Sequence, residues 1–178
     1  MTTITAEPGD VLAVRSTGWA GRLIRFGAAL RDQPNLGNHI AVVHHKDAQG
    51  TLWAIEGRPG GAGWRDTRDY LTSSWTITNT AQPKTEEQRA AVCATMTAMI
   101  GTAYDWSAIL ADADHAFGLD TAWLPDFQTG QIPGAVVCSS LAAYAYAKNG
   151  LKHPPGEDRQ ITPADWDTFI LTQAWTAL

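Results

Sequence analysis

The chain contains several short, mainly apolar runs bounded by segments rich in glycine and polar residues, a pattern typical of β-strands. The first run covers residues 10–15, and two more run from His39 to His45 and from Thr51 to Glu56. The segment between these two, residues 46–50, has hairpin composition because Asp and Gly favour turns. Another strand is predicted from Ser74 to Asn79. Together these runs predict a small antiparallel sheet.

Other segments show helical spacing. Ser16 is the expected N-cap of a helix over residues 17–30, and Thr85-Glu86-Glu87-Gln88 is a capping box that opens a second helix, with Gly101 as its stop. A third helix is predicted after the loop 131–134, and its first turn carries Cys138. Near the C-terminus, Thr162-Pro163 predicts a short helical turn and Phe169-Ile170-Leu171 a final strand.

The segment 57–68 is rich in glycine and is predicted to be a loop. It lacks the lysine and the spacing of a phosphate-binding loop. The segregated strands and helices indicate an α+β fold, with a small antiparallel sheet packed against helices that include the Cys138 helix. A chain of 178 residues without repeats or a linker is predicted to form one domain over residues 1–178.

Composition narrows the range of partners. Apolar residues make up 44% of the chain and charged residues 17%, which is typical of a globular protein. A net charge of −5 and a pI near 5.4 argue against nucleic acid as the main partner. There is no basic run to anchor the chain to lipid, and no apolar stretch of the roughly 20 residues that a membrane helix needs.

The N-terminal residues 1–10 lack both a basic region and an apolar region, so no signal peptide is expected and synthesis in the cytosol is predicted. In that compartment a Cys93–Cys138 disulfide is disfavoured. Cys93 lies beside the apolar stripe of the second helix, where a buried and inert thiol is expected.

Cys138 is the first candidate for chemistry. The start of a helix offers unpaired N–H groups and the positive end of the helix dipole, and both favour thiolate over thiol. The alternative is a small apolar core residue, which is what most free cysteines are. Ser139 and Ser140 either cap the same helix or help to stabilise an oxyanion.

His39 and Glu56 are the candidate base and orienting carboxylate. A hairpin that pairs His45 with Gly50 also pairs His39 with Glu56, although the loop does not force this register. A carboxylate beside an imidazole fixes its tautomer, so the other ring nitrogen can take the thiol proton. The alternatives are a structural histidine and a carboxylate at the solvated end of a strand.

No metal site and no cofactor are predicted. A cluster of His39, His44 and His45 is conceivable, but His39 and His44 have opposite strand parity and should point to opposite faces of the sheet.

Several short motifs, taken in order, resemble the circularly permuted branch of the NlpC-type papain-like cysteine peptidases over nearly the whole chain. They are Gly9-Asp10-Val11-Leu12, Asn38-His39-Ile40-Ala41-Val42-Val43, Glu56, Gly101-Thr102-Ala103-Tyr104-Asp105-Trp106, Val137-Cys138-Ser139-Ser140-Leu141 and Thr162-Pro163-Ala164-Asp165. In that branch the strands with the histidine precede the helix with the cysteine.

The resemblance implies a nucleophile at Cys138, a base at His39 and a polar third member at Glu56. Asp10 and Tyr104 match recurrent positions near the cleft, although Asp10 would also suit a turn cap and Tyr104 a buried aromatic with a bonded hydroxyl. Relatives often carry an acidic residue where this chain has Ser140.

The implied activity is hydrolysis of an amide bond through an acyl-enzyme, with peptidoglycan peptides as the favoured substrate. The alternatives are a lipid acyltransferase or thioesterase, and a non-catalytic module of a phage or secretion assembly. A cell-wall substrate and the missing signal peptide together favour delivery in a phage particle or by a secretion apparatus.

Overall fold

The computed structural model describes residues 6–17, 37–71, 75–80, 85–104, 135–156 and 161–172. Within these ranges the chain is α+β, as predicted. The strands are β1 (Val11–Ser16), β2 (His39–Lys46), β3 (Leu52–Arg58), β4 (Gly61–Asp66), β5 (Trp75–Thr80), β6 (Ala103–Tyr104) and β7 (Ala135–Val136). The helices are α1 (Glu86–Ala98), α2 (Cys138–Lys148), α3 (Pro163–Thr172) and a 3-10 helix (Thr67–Tyr70).

The five longer strands form one antiparallel sheet in the order β4-β3-β2-β1-β5, and β6 and β7 form a separate parallel pair. The predicted loop at 57–68 is wrong, because most of it is β4 and the 3-10 helix. Gly60 and Gly61 both have φ of +106°, a conformation open to glycine, and they turn the chain so that β4 pairs with β3.

From Ala41 to Val43 the register of the β2–β3 hairpin differs from the predicted one by two residues, and nearer the turn it differs by three. Glu56 lies opposite Ala41 rather than His39, and a bulge follows Val43. A slip of two residues keeps every side chain on its face, because side chains alternate with a period of two. His39 and Glu56 are therefore diagonal neighbours on one face, and their side chains are in contact.

Each face of the sheet carries a buried apolar cluster. One cluster includes Ile40, Val42 and Ile55 and continues into α2 through Cys138 and Leu141. The other consists of residues from β1, β2 and β3 together with Tyr70 of the 3-10 helix. Burying an aliphatic side chain stabilises the fold by about 1.5–3 kcal/mol. The first cluster thus fixes α2 against the middle of the sheet.

The predicted ends of the second helix are confirmed, whereas the predicted C-terminal strand is wrong. Thr85 and Gln88 form the predicted capping box, with reciprocal bonds of 3.3 and 3.2 Å between backbone N–H and side-chain oxygen. Beyond α1, Gly101 has φ of +87°, which suits a helix stop. The strand predicted at residues 169–171 is wrong, because these residues lie in α3.

α3 forms because its start is capped and its apolar residues have helical spacing. The Asp165 carboxylate accepts from Thr162 N at 2.8 Å, and the Thr162 hydroxyl accepts from Asp165 N at 3.2 Å. Trp166, Phe169 and Ile170 then face the core. The predicted helix 17–30 lies outside the described residues, as do the loop 131–134 and the motif residues Asp105 and Trp106.

No helix in the described ranges is both long enough and apolar enough to cross a membrane.

Candidate active site

Cys138 is the first residue of α2, as predicted, and only 6% of its surface is exposed. The preceding residue, Val137, is extended and gives its N–H to the Ser140 hydroxyl at 3.1 Å. The first helical bond runs from Leu141 N to Val137 O at 3.0 Å. Ser140 therefore has the capping role, and the thiol lies at the positive end of the α2 dipole.

Two close contacts hold the start of α2. Gly57 of β3 lies directly against the Val137–Cys138 peptide, since a Cβ at Gly57 would be 3.3 Å from both Val137 C and Cys138 N. On another side, Trp166 Nε1 donates to Ser139 O at 3.1 Å, and Ser139 is buried. These contacts fix the position of the thiol relative to β2 and β3.

The Cys138 thiol lies close enough to the imidazole of His39, the first residue of β2, for charge and hydrogen-bond interactions between them to shift the pKa of both groups. Burial raises the pKa of Cys138, but the charge and hydrogen bond of His39 and a hydrogen bond from the Ile40 backbone outweigh it and lower the pKa. Burial also lowers the pKa of His39, yet the charges of Cys138 and Glu56 raise it to about 10. Both shifts favour a thiolate–imidazolium pair.

Glu56 is 1% exposed and holds the other side of the imidazole, with 2.6 Å between its Oε2 and His39 Nε2. The Tyr70 hydroxyl donates to the same oxygen. The second oxygen, Oε1, lies 3.0 Å from Arg65 Nε and 3.4 Å from an Arg58 guanidinium nitrogen. Burial raises the pKa of Glu56, but the charge and hydrogen bond of His39 and the bond from Tyr70 lower it to about 2.

Thiol and imidazole meet at one end of the sheet. By strand parity, His39 and Glu56 belong to the face that carries Ala41 and Ala54, whereas Cys138 packs into the cluster of the opposite face. The two groups come together where β2 begins and β3 nears its end. The structure thus brings three of the predicted site residues into one chain of contacts.

Tyr104 lies in β6, opposite Val136 of β7, and so flanks the segment that leads into Cys138. Asp10 lies elsewhere: its carboxylate accepts from Arg89 at 2.7 Å and from Glu7 N at 2.9 Å. The residue paired with His39 is Val14, four positions further along, which is about 13 Å at the rise of a strand. Asp10 therefore ties a turn to α1, which fits the turn-capping role given above as its alternative, and its place near the cleft stays a prediction.

Three residues that surround the site were missed by the sequence prediction: Gly57, Arg65 and Tyr70. All lie in or beside the segment that was interpreted as a loop. The signal was the Pro59-Gly60 turn, because a hairpin closed there places Gly63 opposite Glu56 and Arg65 two residues further on the same face. Tyr70 follows at the end of the 3-10 helix.

Among the described residues, no group of three or more His, Cys, Asp or Glu side chains is placed to hold a metal ion. His44 and His45 contact each other, with 3.1 Å between their Nδ1 atoms, and belong to the far part of β2 rather than to the His39 site. Comparison with models of known protein families gives no match for this chain, and comparison with curated proteins gives none either.

Proposed function

We propose that this protein is a cysteine hydrolase in which Cys138 is the nucleophile, His39 the general acid and base, and Glu56 the group that orients His39. The observation that supports this most is the unbroken series of contacts from a thiol at a helix start, through an imidazole, to a buried carboxylate. A nucleophile, its base and an orienting group within hydrogen-bond reach form the general arrangement of thiol catalysis.

The reaction follows from the charges of the Cys138 thiolate and the His39 imidazolium. The Cys138 thiolate attacks the carbonyl carbon of an amide, and the negative charge that develops on the oxygen is stabilised by N–H groups at the start of α2. His39 then gives its proton to the departing amine as the C–N bond breaks, which leaves a thioester on Cys138. Water attacks the thioester while His39 takes its proton, and cleavage of the C–S bond releases the acid and restores the thiolate.

The ring nitrogens of His39 have separate roles in this scheme. Nε2 faces Glu56, so Nδ1 is the nitrogen that exchanges a proton with the thiol and the leaving group. A carboxylate with a pKa of about 2 keeps its charge throughout the working pH range and holds Nε2 protonated. This arrangement suits an orienting role for Glu56 better than that of a carboxylate at a solvated strand end.

The substrate class rests on the resemblance to permuted NlpC-type peptidases. On that basis, residues 1–178 form a single papain-like domain that cleaves an amide bond in peptidoglycan peptides. Delivery by a phage particle or secretion assembly would bring it to the cell wall. A catalytic domain is favoured over a module that only binds because Cys138 and His39 shift each other's pKa toward a thiolate–imidazolium pair, which binding alone does not require.

The test is incubation of the purified protein with peptidoglycan and, in parallel, with a lipid acyl ester. Release of new amino groups from peptidoglycan by the protein, but not by Cys138→Ala, is the expected result. Turnover of the ester alone would instead indicate an acyltransferase or thioesterase. If neither substrate reacts and iodoacetamide labels Cys138 no faster than a free thiol, the enzyme proposal is wrong and a binding module is left.

A further inference from the structure

The Glu56 carboxylate is held by groups outside the three proposed catalytic residues. Its Oε2 accepts from both His39 Nε2 and the Tyr70 hydroxyl, and its Oε1 accepts from Arg65 Nε at 3.0 Å and lies 3.4 Å from the more exposed Arg58 guanidinium. Tyr70 is 1% exposed, as is Glu56. A buried carboxylate with donors on both oxygens has a fixed plane as well as a stable charge.

The 3-10 helix that ends at Tyr70 is itself firmly anchored. Asp66 caps it by accepting from Arg68 N at 2.9 Å, and the Thr67 hydroxyl donates to Leu52 O of β3 at 2.9 Å. Arg65, just before the helix, also binds Asp69 at 2.8 Å. The anchored 3-10 helix therefore holds the Tyr70 hydroxyl in a fixed position against Glu56.

We propose that Tyr70 and Arg65 are positioning residues of the hydrolase: together they keep Glu56 charged and aimed at Nε2 of His39, and through it they maintain the thiolate of Cys138. This inference rests on the proposed function, because it assigns Tyr70 and Arg65 a role in the same site. Neither residue touches the reacting sulfur.

The chemistry of Tyr70 suits this role at all working pH values. Burial, and next the charge of Glu56, raise the pKa of the Tyr70 hydroxyl well above its usual value of 10. It therefore remains a proton donor. Without that donor, the buried carboxylate of Glu56 takes up a proton at a higher pH, and the imidazolium loses its counter-charge as it does so. The Glu56 charge by itself raises the pKa of Cys138, but the His39 charge and hydrogen bond lower it by more, so weakening the imidazolium raises the pKa of the thiol overall.

The measurement is the pH dependence of Cys138 alkylation by iodoacetamide, which needs no substrate. Tyr70→Phe keeps the ring and removes the hydroxyl, and we expect the acid limb of the profile to move to higher pH by at least half a unit. Arg65→Gln should move the acid limb in the same direction. Arg65→Lys should move it less, because lysine keeps a positive charge at this position.

The matched control is Thr67→Val, since Thr67 lies in the same 3-10 helix and is equally buried but binds the Leu52 carbonyl instead of Glu56. It should lower the melting temperature without moving the acid limb. If Tyr70→Phe lowers stability but, like Thr67→Val, does not move the acid limb of the alkylation profile, the positioning role is refuted while the hydrolase proposal stands. A Cys138 in the unaltered protein that titrates like an ordinary thiol would refute the hydrolase proposal itself.

Discussion

Substitution of Gly57 by alanine should displace the nucleophile without removing any group that acts in the reaction. The added Cβ would lie 3.3 Å from both Cys138 N and Val137 C, whereas non-bonded heavy atoms prefer about 3.5–4.0 Å. Relief of the contact moves the start of α2 away from β3 by about 0.3 Å. A misplacement of 1 Å can cost about a hundredfold in rate, so 0.3 Å on the same logarithmic scale costs about fourfold.

Gly57→Ala should therefore lower the rate of hydrolysis by about fourfold. It should also slow Cys138 alkylation, because a longer Cys138–His39 contact supports less thiolate, and overpacking should reduce the free energy of unfolding by about 1–3 kcal/mol. Alkylation is measured with iodoacetamide and stability by denaturant unfolding, both on the purified protein.

The matched control is Gly63→Ala. Gly63 lies on β4 directly opposite Glu56, yet a Cβ there would meet no atom within 4 Å. It should leave the alkylation rate unchanged. If Gly57→Ala behaves like Gly63→Ala in both measurements, the close approach of β3 does not set the position of the thiol, and the reasoning fails.

Three further predictions follow from the same contacts. With the pKa of Cys138 lowered and that of His39 raised to about 10, hydrolysis should follow a bell-shaped pH profile: the acid limb marks protonation of the thiolate, and activity falls again as the pH rises through about 10. A rate that keeps rising above pH 10 would contradict the ion pair. Glu56→Gln should destabilise the protein by about 3–5 kcal/mol at pH 7, since it breaks a buried charge cluster. The pKa of Glu56 is lowered from 4.5 to about 2, so its contribution to the free energy of unfolding is present above pH 4.5 and disappears as the pH falls toward 2. The unaltered protein and Glu56→Gln should therefore converge in stability near pH 2, as measured by denaturant unfolding across pH. Arg89→Ala should lower the melting temperature, because it removes a positively charged partner of the buried Asp10 carboxylate, but should leave Cys138 alkylation unchanged. A slower alkylation would indicate that Asp10 acts on the site.

Local signals predicted much of this fold. The strands around His39 and Glu56, the capping box at Thr85 and the start of α2 at Cys138 all depend on neighbouring residues in the chain. Those interactions can be inferred from spacing and residue type.

What the sequence did not predict depends on register and on contacts between distant segments. The bulge after Val43 shifts the hairpin, and no local rule gives its position. Arg65 and Tyr70 were missed because glycine-rich composition suggested a loop, whereas strand pairing with β3 overrides that preference. The contact between Asp10 and Arg89 on α1 was not predicted, because a carboxylate at the start of a strand does not reveal a partner so distant in sequence.

The acid–base half of the site comes from a single stretch of chain, from His39 to Tyr70, while the thiol comes from α2 far along the sequence. Contacts within the stretch close short loops, which form early in folding, whereas docking of α2 closes a long one. If α2 separates from the sheet, Cys138 leaves His39 and becomes an ordinary thiol that titrates near its usual pKa. Alkylation of Cys138 at mildly acidic pH thus labels only molecules in which α2 is docked. Labelling of Cys138 can therefore report whether the stretch from His39 to Tyr70 forms before α2 docks on it.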